Sequence, residues 1–170
     1  MRAAIVSIGC LALIVLPGCA GYQLGPVGGG MAGEKSIEVF PFNNQTLQPR
    51  LGDAVTQAVR EQLQTDGTYH LSTREGSDVV LTGTIKNFSR VGLSFNTTDV
   101  SSTANYRESV VAHVVARQSG SGKIVLEKDI TGYTLVNVSS DLNSADRQAQ
   151  SLLADDLARN ITVALTEGGW

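Results

Sequence analysis

Tyr106-Arg107-Glu108-Ser109-Val110-Val111-Ala112-His113-Val114-Val115-Ala116-Arg117 alternates in side-chain character, most regularly from Val110 on. Val110, Ala112, Val114 and Ala116 fall on one face of an extended chain. Arg107, Val111, His113, Val115 and Arg117 fall on the other, which is the period-two pattern of a strand. This is the longest strand read from the sequence. Gln118-Ser119-Gly120-Ser121-Gly122-Lys123 supplies turn chemistry after it, and Ile124 to Tyr133 returns as the second arm of a hairpin. Ile124, Leu126 and Ile130 are expected to face inward. The Gly-Ser-Gly-Lys letters in the turn are shared with phosphate-binding loops, but no helix opens after them, so the turn reading stands.

Outward toward the N-terminus, Asp78 to Lys86 is β-branched and bounded by Gly76-Ser77. Val79, Leu81 and Ile85 share one face, and Thr82, Thr84 and Lys86 the other. Between these strands, Ser94 to Asn105 is rich in Ser, Thr and Asn and reads as a loop or a polar hairpin tip. Tyr69-His70-Leu71 is a short strand. Leu51, Ala54, Val55, Ala58, Val59 and Leu63 form one apolar stripe on a helix expected from about Pro49 to Gln64, with Pro49 at its first position. Asp66-Gly67 ends it. Ser36 to Phe42 reads as a strand closed by proline, and Asn43-Asn44-Gln45-Thr46 as a turn.

On the other side, Thr134 to Leu142 reads as a loop or a ragged strand end. Asn143 or Ser144 caps a last helix striped by Ala149, Leu152, Leu153, Leu157, Ile161 and Ala164, with Asp155, Asp156, Arg159 and Asn160 toward solvent. Two helices and several strands, each with one apolar face, predict a two-layer α+β sandwich. In it, two amphipathic helices pack on a mixed four- to five-stranded sheet.

The first residues carry a different signal. After Arg2 an apolar or small run extends from Ala3 to Leu16, about 14 residues against the roughly 20 a membrane-spanning helix needs. It matches the apolar region of an export signal, and it ends in Leu16-Pro17-Gly18-Cys19, the pattern of a bacterial lipoprotein signal. Cleavage falls between Gly18 and Cys19, and the Cys19 thiol takes a diacylglyceryl group, with a further acyl chain on its amine. Several acyl chains hold a membrane where one does not. An ordinary cleaved signal with an incidental Cys19 is the alternative, and Pro17 is the position that departs from the lipoprotein pattern. Cys10 lies in the removed segment, so no disulfide framework forms. Ala20 in place of an acidic residue favours the outer membrane. The organisation read here is a signal peptide at 1–18, an acylated N-terminus and glycine-rich tether at 19–34, and one domain at 35–170.

Thirteen Lys and Arg against 16 Asp and Glu give a net charge of −3, with no basic excess that would point to nucleic acid. Enzymatic chemistry needs a nucleophile with a base, paired carboxylates or clustered metal ligands. His113 has no acidic residue two positions away on its strand, His70 stands apart, and no His/Cys cluster fits zinc. Asp53 and Glu61, and adjacent Asp155-Asp156, read as solvated helix faces. The Asn-x-Ser/Thr sequons at Asn44, Asn87, Asn96, Asn137 and Asn160 read as polar composition. The expectation is a non-enzyme with no metal and no cofactor beyond the acyl chains on Cys19.

Several blocks resemble the lipopolysaccharide-assembly lipoprotein family LptE. Cys19-Ala20-Gly21-Tyr22-Gln23-Leu24 looks like that family's Cys-Gly-Tyr/Phe-x-Leu start with one residue inserted. Ile37-Glu38-Val39-Phe40 with Asn43-Asn44, and Pro49-Arg50-Leu51 opening a helix, resemble its next block. Ser77-Asp78-Val79-Val80-Leu81-Thr82-Gly83 is similar to its Ala-Asp-x-x-Leu-x-Gly strand, and Ala149 through Leu165 to its final helix. The resemblance implies an outer-membrane lipoprotein, anchored in the inner leaflet, that plugs the β-barrel partner LptD and helps insert lipopolysaccharide into the outer leaflet. Basic loop residues contact lipopolysaccharide in better-known members; segments 91–105 and 132–146 here contain no Lys or Arg. The flanking Arg90, Arg107 and Arg147, with Phe95, are therefore the candidate partner-facing or lipopolysaccharide-facing residues. Residues 37–46 are also similar to the openings of curli-secretion channel subunits and of lipoproteins that activate cell-wall synthases, which is the alternative reading.

Overall fold

The structure is a computed structural model that describes residues 35–73, 76–95, 103–137 and 142–168. The signal peptide, Gly18, Cys19, the tether and most of the 94–105 segment lie outside them. In chain order the elements are β1 (Lys35–Val39), β2 (Asn43–Asn44), α1 (Leu51–Asp66), β3 (Tyr69–Leu71), β4 (Val79–Phe95), β5 (Thr103–Gln118), β6 (Ile124–Asn137) and α2 (Leu142–Glu167). One sheet runs in the order β3-β1-β4-β5-β6, with β2 added to β4. The β1 pairings with β3 and β4 and the β2 pairing with β4 are parallel, while β4-β5 and β5-β6 are antiparallel. Both helices lie on one face, giving the expected two-layer α+β sandwich with a mixed sheet.

The core sits between that face and the helices. Ile37, Leu81, Ile85, Val110, Ala112, Val114 and Ala116 from the sheet meet Leu51, Val55, Val59 and Leu63 of α1 and Leu153, Leu157 and Ile161 of α2, all fully buried. Each such Leu, Ile or Val is worth about 1.5–3 kcal/mol relative to exposure. Gly67, in the left-handed conformation at φ 73, closes α1 by donating its N–H to the Leu63 carbonyl. At the other end the helix starts at Leu51, two residues later than expected, because Arg50 adopts a left-handed conformation at φ 61.

The region before α1 is locked by a few polar side chains. Thr56 Oγ1 accepts the Phe42 N–H at 2.9 Å and donates to the Gly52 carbonyl at 2.7 Å. Asn44 Oδ1 accepts from the Thr46 N–H and hydroxyl, and its amide donates to the Gln48 carbonyl, an Asx-type turn. The Phe42 ring lies where a side chain on Gly83 would stand. The Asn43-Asn44 and Gly83 blocks therefore do structural work in this chain.

Several expectations need correction. β4 runs to Phe95, β5 begins at Thr103, and β6 continues through Thr134 and Val136 to Asn137, so the ends of the 94–105 segment, read as a loop or hairpin tip, and the start of the 134–142 segment are strand. The α2 helix begins at Leu142, ahead of the expected cap at Asn143 or Ser144. Ile124 is 40% exposed. A bulge pairs Ala116 with Leu126 but Arg117 with Ile124, so the extra residue Val125 turns Ile124 to the sheet face that carries Arg117. Leu152, placed in the apolar stripe of α2, is 48% exposed.

Candidate functional site

Helices cover one face of the sheet, so the candidate site is the face they leave open. β5 supplies its middle strand, and register fixes the cross-strand rows: Thr82-Val115-Glu127, Thr84-His113-Asp129, Asn87-Val111-Thr131, Ser89-Ser109-Tyr133 and Val91-Arg107-Leu135. A bulge in β4 shapes this surface. Ile85 pairs with Ala112 and Asn87 with Val111, leaving Lys86 as the extra residue. Before it Val79, Leu81 and Ile85 face the helices; after it the parity reverses. Phe88 and Arg90 then turn to the helix side, while Asn87, Ser89 and Val91 turn to the open side.

That reversal decides what Arg90 does. Its Nε donates to Glu108 Oε1 at 2.7 Å, its Nη2 pairs with Glu108 and reaches Asp146 Oδ1 of α2 at 2.8 Å, and its guanidinium lies 5.6 Å from the centre of the Tyr106 ring. Glu108 is 2% exposed. Buried charges persist only when paired, so Arg90 clasps β4, β5 and the start of α2. Arg107 sits on the opposite face, exposed, and has no ion-pair partner among the described residues. Its row neighbours Val91 and Leu135 are 57% and 62% exposed, and Tyr133 in the adjacent row is 59% exposed. An unpaired cation among exposed apolar side chains suits an anionic amphiphile. Arg147 is exposed near the start of α2, apart from that row. Phe95 ends β4.

At the other end of the open face is a charged cluster. His113 Nδ1 donates to Asp129 Oδ1 at 2.7 Å, Glu127 Oε1 lies 3.6 Å from Nε2, and Lys86 Nζ is 3.4 Å from Asp129 Oδ1. The hydrogen bond from His113, with help from Lys86, holds the Asp129 carboxyl below its ordinary value. The acidic partners of His113 come from the neighbouring strand, so spacing within β5 could not show them. Among the described residues no group of three His, Cys, Asp or Glu side chains is placed to hold a metal, and no helix is long and apolar enough to cross a membrane.

Two residues expected to be plainly solvated are engaged. Asp156 Oδ2 accepts the Tyr133 N–H at 3.0 Å, and the Asn160 amide donates to the Thr131 carbonyl at 2.9 Å. Both bonds fall on the outer edge of β6, and the Asn160 sequon is committed to that contact.

Comparison with known proteins places this architecture. No curated protein sequence matches the chain. Among solved structures it is similar to protein XCC0632 from Xanthomonas campestris (TM-score 0.58, 12% identity, 79% of this chain and 85% of that one). It is also similar to the hypothetical protein CT253 from Chlamydia trachomatis (TM-score 0.53, 12% identity, 79% and 97%). A lipoprotein candidate from Caulobacter crescentus CB15 is a third (TM-score 0.52, 10% identity, 75% and 88%). At these identities the likeness is one of fold. The family described as LptE, lipopolysaccharide-assembly, matches residues 34–165, from the start of β1 to the last buried leucine of α2. The chain belongs to the LptE family.

Proposed function

We propose that the chain is an outer-membrane lipoprotein, acylated on Cys19, whose domain at 35–170 plugs the LptD barrel and assists insertion of lipopolysaccharide into the outer leaflet. The observation that carries this reading is the family match across the whole folded domain. The open sheet face supports it. The lumen of a large outer-membrane barrel is polar and wet, and the Thr, Ser, Asn and charged rows of β4–β6 suit such a wall. The Val91-Arg107-Leu135 row offers one guanidinium beside apolar side chains, the combination that a phosphorylated acyl lipid calls for. Arg107 is therefore the residue we assign to lipopolysaccharide contact, with Arg90 holding the strands that present it.

The test is purification of the tagged full-length chain in mild detergent. A stable one-to-one complex with LptD is expected, and a photo-crosslinker at Phe95 should capture LptD in cells. A ring of the chain itself or a cell-wall synthase partner would refute the plug. Cys19→Ser should abolish palmitate labelling, and retained label would refute the anchor.

A further inference from the structure

β6 is an edge strand, and its outward backbone groups belong to the odd-numbered residues, as the Thr131 carbonyl and the Tyr133 N–H show. In an antiparallel ladder alternate residues point their N–H and C=O away from the partner strand. The α2 helix crosses this edge at Gly132, where an added Cβ would meet Leu157 N, Cα and Cβ at 2.7–2.8 Å. At that crossing the Asn160 amide and the Asp156 carboxylate, themselves 3.4 Å apart, present one donor and one acceptor to β6. They stand in for one residue of a further strand.

Below the crossing no such substitute is present among the described residues. The edge from Lys128 to Thr131 and the last turns of α2 (Asn160, Val163, Ala164 and Glu167) instead frame a groove of about 230 Å³. Val163 is 44% exposed on its wall. A volume below the roughly 300–1,000 Å³ of small-molecule sites fits one or two side chains of a peptide. The outward N–H and C=O of Glu127 and Asp129, unpaired among the described residues, are open to an added backbone. An edge strand beside a helix is the setting in which extended peptides add to a sheet.

We infer that this groove is a strand-acceptor site. A lumen-directed loop or terminal segment of the barrel partner adds to the backbone of residues 127–131, lays an apolar side chain against Val163 and Ala164, and stops at Asn160. The wall strands of a closed barrel have no free edge, so the added strand comes from a loop or terminus. A second copy of this chain fits poorly: two-fold pairing of β6 centred on Asp129 sets Asp129 opposite Asp129, and like charges directly opposite repel. The inference rests on the reading of the chain as a barrel plug.

The experiment places a photo-crosslinker at Val163 or Lys128 of the full-length chain in cells, with co-purification of LptD read separately. Crosslinks to LptD are expected. They should persist in Asp129→Asn and fall to background in Asp129→Pro, which removes one outward N–H while leaving the inward ladder intact. Val163→Lys, at an exposed position, should abolish those from the crosslinker at Lys128 without the risk to folding that a proline carries. LptD that co-purifies but never crosslinks to Val163 or Lys128 overturns the groove and spares the plug. Crosslinks to a second copy, or crosslinks indifferent to both Asp129→Pro and Val163→Lys, also overturn the groove. An unmutated chain that brings down no LptD overturns both readings.

Discussion

Gly132→Ala tests the packing on which the β6 edge depends. A methyl at Gly132 would stand 2.7–2.8 Å from Leu157 N, Cα and Cβ. Two of these atoms are helix backbone, so no rotamer change relieves the contact and α2 has to lift off β6. Overpacking of this kind costs about 1–3 kcal/mol, and replacing a glycine returns about 0.4–1 kcal/mol through the unfolded chain. The net is a loss of about 1–2 kcal/mol, or roughly 3–8 °C in Tm for a domain of this size. Gly120→Ala is the control: nothing lies within 4 Å of its added Cβ, so it should be neutral or slightly stabilising. Thermal unfolding followed by circular dichroism reads the first effect. Hydrogen exchange reads a second, because lifting α2 withdraws Asp156 from the Tyr133 N–H and that amide should exchange faster. A Gly132→Ala protein as stable as the parent, with Tyr133 equally protected, would refute the close approach of α2.

Gly83→Ala drives its methyl into the Phe42 ring, whose Cζ would lie 2.6 Å away. Stability should fall by about 1–3 kcal/mol, and the two changes should be non-additive in Gly83→Ala/Phe42→Leu, as urea titration of the four-member cycle can show. Arg90→Met leaves Glu108 buried without its partner. Because Arg90 is about a third exposed, the loss should be about 1–3 kcal/mol, below the 3–5 of a fully buried pair. Equal stability of Arg90→Met and the parent in urea titration would refute the clasp. Asp78 is held below its ordinary value of 3.8 by the Ser36 N–H and then the Ser36 hydroxyl. A depressed carboxyl contributes stability above its unfolded value and loses it as pH falls through the folded one. The parent should therefore lose stability below about pH 4 more steeply than Asp78→Asn, and parallel acid profiles would refute it.

Both helices were legible because each carries one apolar stripe that buries on one side of the helix. The strand cores were legible for the same reason, in period two. What the sequence hid lies wherever a neighbour from another element decides. The bulge at Lys86 reverses which residues of β4 face the helices, so the alternation that marks the strand breaks after Ile85. Glu108 belongs to the core-facing row of β5, yet its burial makes sense only once register brings Arg90 beside it. His113 finds Asp129 across a strand pair, where spacing along β5 carries no information. Asp156 and Asn160 lie on the polar side of α2 by periodicity, and periodicity cannot report that this side overhangs a strand edge. Arg107 falls on the outer row of β5 by period two alone, a placement that needs no neighbour to decide it.

The dimensions of the layers explain why the far end of the sheet is the part to watch. β4 has 17 residues, about 56 Å at 3.3 Å per residue, whereas the 16 residues of α1 span about 24 Å. The α1 helix packs near β1 and β3, so the ribbon of β4, β5 and β6 runs on past it. There the helix side is closed by the start of α2 and by Arg90, Glu108 and Tyr106. On the open side Val91, Leu135 and Tyr133 remain largely exposed. Three strands hold together in water when at least one face is covered, and here that cover is thin and partly ionic. The clasp keeps the ribbon extended while its apolar open side stays uncovered, and covering that side would remove apolar surface from water without rearranging the core. In the proposed plug, the covering surface is the barrel wall or the acyl chains beside Arg107.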